Sequence, residues 1–122
     1  MLIVGEDSPD YDKLRTTAEY VIAGVRLYLA PKPEELLKSW YPDPAPGHDC
    51  GSYLTGVAVY MRYLLYAFQN NKDLQTYLRD PEWGYLDFVR KNAEHVVQNP
   101  SKNMTGLTND LATLVAAIAM LP

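Results

Sequence analysis

The chain has 122 residues, 48% of them hydrophobic and 21% charged, with fifteen acidic residues against eleven basic ones and a net charge of -4. That length fits one domain of roughly 100–200 residues, large enough to bury a core without staples, and the apolar share excludes a disordered chain. A single cysteine excludes an intramolecular disulfide and a multi-cysteine zinc site. The basic residues are scattered, adjacent only at Arg90-Lys91, which argues against nucleic acid because tight phosphate binding needs clustered cations.

The whole chain, residues 1–122, reads as one helical domain, opening with an acidic segment at 1–8. Met1 to Val4 is too short for a signal-peptide core and lacks a basic flank, so the expected location is the cytoplasm. Glu6, Asp7, Asp10 and Asp12 stand before the first long periodic stretch. Their carboxylates suit the positive end of a following helix, and they also offer an acidic patch to a basic partner.

Ser8-Pro9-Asp10, Lys32-Pro33-Glu34 and Asp80-Pro81-Glu82 each put proline where a first helical turn begins. Ser8 and Asp80 are capping types, since their side-chain oxygens accept from exposed first-turn N–H groups. The spacing of Leu14, Ala18, Val21, Ile22, Val25 and Leu29 predicts a helix over about 9–30, stopped by Pro31 and Pro33. A short helix over 33–40 follows. The stretch 41–50 carries prolines at positions 42, 44 and 46, which forbid helix and central strand and predict an extended loop.

A largely apolar helix over about 51–69 comes next, with Tyr53, Val57, Tyr60, Leu64 and Phe68 on one face. Arg62 near its middle argues against a membrane span, where a bare cation costs at least about 2.5 kcal/mol. After Asn70-Asn71 a short helix is expected over 72–78, then a longer one over about 81–98 burying Leu86, Val89, Ala93, Val96 and Val97. The last helix, about 107–121, combines an aliphatic stripe (Leu107, Leu111, Leu114, Val115, Ile118, Leu121) with alanines at 112, 116, 117 and 119. A helix apolar all round is central in its bundle or shared between subunits, so a homodimer seam through 107–121 is one of two expectations. The fold class is therefore all-α: a compact bundle of four longer helices and two short ones.

Few residues offer chemistry. Ten tyrosines against two phenylalanines suit half-buried positions at interfaces and pocket walls, because each ring carries a polar tip. Cys50 would open the helix over 51–69, where a helix N-terminus favours thiolate, and His48 lies two residues before it. Asp49-Cys50-Gly51 followed by Tyr53 resembles the nucleophile region of the SUMO-protease-like cysteine peptidases, and the resemblance implies Cys50 as nucleophile. The likeness covers about a dozen residues, and the chain departs from that pattern. Pro44 stands where those enzymes carry an oxyanion glutamine, and no histidine precedes His48. No pair of histidines or cysteines has metal-ligand spacing, so neither metal nor cofactor is expected.

The sequence thus favours a non-catalytic, acidic, cytoplasmic protein that binds another protein, as a regulator, an inhibitor or immunity-type protein, or an assembly subunit. The expected partner surface comprises Asp7, Asp10, Trp40, Tyr41, Tyr53 and Trp83. The alternatives are a thiol enzyme using Cys50 with a histidine, or a small-ligand binder with Tyr60 and Arg62 in a tyrosine-lined pocket.

Overall fold

The computed structural model describes residues 7–30, 36–37 and 56–122. Among these, five helices and no strand are found: α1 (Tyr11–Leu29), α2 (Gly56–Asn70), α3 (Lys72–Arg79), α4 (Tyr85–Gln98) and α5 (Met104–Met120). The all-α, single-domain expectation is borne out. No helix among the described residues is long and apolar enough to cross a membrane.

The helix boundaries follow from local hydrogen bonding. Asn71 begins α3 by accepting from the Leu74 N–H at 2.9 Å, and Asn103 begins α5 by accepting from the Gly106 N–H at 2.7 Å. The Asn103 cap explains why α5 starts at Met104, earlier than the apolar stripe alone implies. Asp80 caps the turn before α4, not the helix: its carboxylate accepts from the Glu82 N–H at 2.9 Å. Gly84 then takes φ 68°, a left-handed conformation that suits glycine and separates turn from helix, so α4 begins at Tyr85. Ser8 plays the same part before α1, where its Oγ accepts from the Asp10 N–H.

The interior is built on Met61, Leu64, Leu78, Phe88, Val89 and Ala116, all essentially without solvent contact. α5 packs most closely on α2 and next on α4, while α1 touches α2 and α3 only lightly. Polar ties hold the lighter contacts. The Tyr11 hydroxyl donates to Asp73 at 2.7 Å and accepts from Asn71 at 3.0 Å, fastening the start of α1 to α3. The Arg26 guanidinium lies over the rings of Tyr85 and Phe88, 4.8 and 4.6 Å from their centroids, and donates to the Trp83 carbonyl at 2.7 Å.

Three expectations are corrected. The helix over 33–40 is not formed at Leu36–Leu37, where the Leu37 N–H is taken instead by the buried Asn92 side chain at 2.8 Å; the rest of that stretch lies outside the described residues. On α1, Leu14 and Val21 are exposed, because the buried line runs through Tyr11 and Leu29. On α5 most of the aliphatic stripe does not enter the core, although Leu114 and Leu121 are partly buried and Leu121 packs against it. The buried positions are Thr113, Ala116, Ala117 and Met120, whereas Leu107, Leu111, Val115 and Ile118 face outward. α2 supplies bulk to the core through Met61, Leu64 and Phe68, which suits the small Ala116 and Ala117 on α5.

Candidate functional site

Gly24 of α1 and Gly56 at the start of α2 leave open space between the two helices, since a β-carbon at either would meet nothing within 4 Å. The result is a groove of about 690 Å³ walled by Val21, Ile22, Val25, Tyr28, Val59 and Tyr63, with Tyr60 at its base. Among the described residues no charged side chain lines it. The Tyr60 hydroxyl spans the base and donates to the Ile22 carbonyl at 2.8 Å, so the length of a tyrosine sets the separation of α1 and α2.

A second groove, about 440 Å³, runs along the other side of α2 against α5 and is lined by Val59, Arg62, Leu65, Leu111 and Val115. Val59 borders both grooves. The outer sides of α1, α2 and α5 therefore carry exposed apolar side chains at Val21, Tyr28, Val59, Tyr63, Leu111 and Val115, with the exposed Arg62 of α2 among them. Contiguous apolar patches of several hundred Å² on a folded protein mark interaction sites or ligand grooves.

A tyrosine cluster lies where α1 meets α3 and α4. Tyr77 and Tyr85 share a hydrogen bond of 3.2 Å between hydroxyls, and Tyr77 also donates to the Glu19 carbonyl at 3.4 Å. Burial pushes the Tyr60 phenol far above the ordinary tyrosine range, with the neighbouring Tyr85 adding to the effect. Burial raises Tyr85 as well, followed by its hydrogen bond to Tyr77. The Tyr60 and Tyr85 hydroxyls are structural ties, kept neutral by their surroundings.

The residues singled out from the sequence are dispersed. Asp7 and Asp10 are exposed before α1, whereas Trp83 is exposed beside Arg26, about 24 Å further along the α1 axis at 1.5 Å per residue. Tyr60 belongs to the α1–α2 groove, while Arg62 is exposed on the α2–α5 side, so the two do not share a pocket. Trp40, Tyr41, His48, Cys50 and Tyr53, with the loop 41–50, lie outside the described residues. Val21, Tyr28, Val59 and Tyr63 were absent from the expected set. Their signal was the width of the apolar arc on α1 and α2, wider than one core-facing stripe requires.

A smaller polar cavity of about 210 Å³ sits between α2, α4 and α5, lined by Asn92, His95, Asn109, Asp110 and Thr113 among others. Its polar groups are engaged in holding the fold. Asn109 accepts from the Ala58 N–H at 3.0 Å, satisfying a first-turn donor of α2, and Asp110 accepts from the Ser101 N–H at 2.7 Å. Among the described residues no group of three or more His, Cys, Asp or Glu is placed to hold a metal ion. No protein-family model, no curated protein and no solved structure matches the chain.

Proposed function

We propose that the protein acts without catalysis, by binding other proteins through the apolar face of α1, α2 and α5, as a cytoplasmic regulator, inhibitor or assembly subunit; a second copy of the chain, joined through 107–121, is among the partners considered. The observation that carries this reading is the allocation of side chains on α5: alanines fill the interior contact while Leu107, Leu111, Val115 and Ile118 are spent on the surface. Large aliphatic groups left in water forgo burial worth up to about 1.5–3 kcal/mol when fully exposed, and less for the half-exposed Leu107 and Val115, which favours a surface that is covered in use. The test compares the native protein with a Val21→Lys, Tyr63→Lys variant as bait from cells that make it. A stoichiometric protein retained by the first and lost by the second supports the reading, and equal recovery by both counts against it.

A second reading is a small-ligand binder. The α1–α2 groove favours it, since about 690 Å³ without a charged wall falls among ligand pockets of roughly 300–1,000 Å³. The ligand would be uncharged and apolar, and Arg62 would have no part in holding it. Native mass spectrometry of freshly purified protein should then show added mass that Gly24→Leu, which fills the groove, removes.

A further inference from the structure

The exposed large apolar residues of α5 are spaced symmetrically along it. Met104, Leu107, Leu111, Val115 and Ile118 lie 7 and 4 residues before Leu111 and 4 and 7 residues after it. Their exposures repeat the pattern, at 79, 45, 64, 44 and 82% in chain order. At 3.6 residues per turn all five fall within about 40° of Leu111 around the helix, a stripe about 21 Å long. The buried residues Thr113, Ala116, Ala117 and Met120 are centred on the opposite side.

We propose that the partner covering this stripe is a second copy of the chain, with two α5 helices antiparallel about a twofold axis at Leu111. This rests on the protein-binding reading above and names its partner. In that arrangement Leu111 meets the partner's Leu111, Met104 meets the partner's Ile118, and Leu107 meets the partner's Val115. Each more exposed end position faces a more exposed one, and each half-exposed position faces its equal, as an isologous interface requires.

The charge on α5 itself does not oppose this occupant. Partner choice between helices is set largely by charged positions flanking the seam. The only charged residue of α5 is Asp110, and its carboxylate already accepts from the Ser101 N–H. α5 itself therefore carries no charge that selects a foreign partner or repels a copy, and the cation nearest the seam is Arg62 of α2, in the groove beside Leu111 and Val115. Antiparallel packing also sets the positive end of one helix dipole beside the negative end of the other. The five side chains expose on the order of 600 Å² per copy, so a pair covers about 1,200 Å², the lower edge for specific interfaces.

Sedimentation equilibrium across micromolar to submillimolar concentration tests the proposal. The native chain should show a reversible monomer–dimer equilibrium, and Leu111→Glu should weaken it by at least about 100-fold, since two carboxylates would meet at the axis. Met104→Glu and Ile118→Lys should each weaken it about tenfold, and together restore it, because each introduced carboxylate faces an introduced ammonium. All these positions are exposed, so helicity and melting of the monomer should not change. A native chain that stays monomeric overturns self-pairing, as does a dimer indifferent to Leu111→Glu. A double variant weaker than either single one overturns the antiparallel register. None of these results bears on the Val21→Lys, Tyr63→Lys comparison, which decides the broader reading.

Discussion

A β-carbon at Gly106 would stand 2.5 Å from Cβ of Ser101 and 2.6 Å from its Oγ. The turn before α5 is tied down on both sides, by Asn103 accepting from the Gly106 N–H and by Asp110 accepting from the Ser101 N–H, so Ser101 has little freedom to retreat. Gly106→Ala should destabilise the fold by about 1–3 kcal/mol, the usual range for overpacking. Thermal melting checks this, and Ser101→Gly in the same chain should recover most of the loss. Tyr60 and Tyr85 set a limit at alkaline pH. Their phenols are raised in the folded state, so the stability they contribute is complete below the ordinary tyrosine pKa of about 10 and is lost as pH climbs above it. Titration by tyrosine absorbance should therefore show two hydroxyls that ionise only as the chain unfolds. Tyr60→Phe should cost about 1 kcal/mol near neutral pH through the lost bond to Ile22, and should delay alkaline unfolding.

Hydropathy ranks the two faces of α5 in the wrong order. Ile118 is the most apolar kind of side chain on that helix and is 82% exposed, while Ala116 has no exposure. Ile118→Ala should change the stability of the monomer by less than about 0.5 kcal/mol, as surface substitutions do. Ala116→Leu should cost about 1–3 kcal/mol, because α2 already fills the contact with Met61 and Leu64. Urea denaturation of both variants, read at low protein concentration, separates the effects. The same contrast shows what a sequence can convey. On α2 and α4 the buried positions Val57, Tyr60, Leu64, Phe68, Val89 and Val96 are legible from spacing, whereas Val97, expected beside Val96, is 72% exposed. On α5 both arcs are apolar, so spacing finds a helix without saying which arc turns inward. That choice depends on the volume α2 supplies across the contact, which no local pattern contains. The start of α4 was misread for a related reason: Asp80-Pro81 is a good helix opening, yet the left-handed Gly84 inserts a separate turn before it.

At the scale of the molecule, the candidate face exists because α1 is held by a few polar ties and not by close packing on α2. Tyr11 fastens its start to α3, Arg26 fastens its end near Trp83 and Tyr85, and between them Gly24 and Gly56 keep the groove open. The sequence announced the excess of tyrosine but not the gap, since a gap is a relation between two helices far apart in the chain. An open apolar groove on a well-packed protein should bind an apolar fluorescent dye at neutral pH while near-UV dichroism and cooperative melting remain native, unlike the loosened states that such dyes usually report. Gly24→Leu should abolish most of that binding by occupying the space, without loss of stability, because a β-carbon there meets nothing within 4 Å and leucine favours helix over glycine. Leu111→Glu, remote from that groove, should leave the signal from it intact even where it separates paired copies. Dye binding that survives Gly24→Leu, or that vanishes with Leu111→Glu, would locate the adherent surface on α5 alone and reduce the α1–α2 groove to a gap with no occupant.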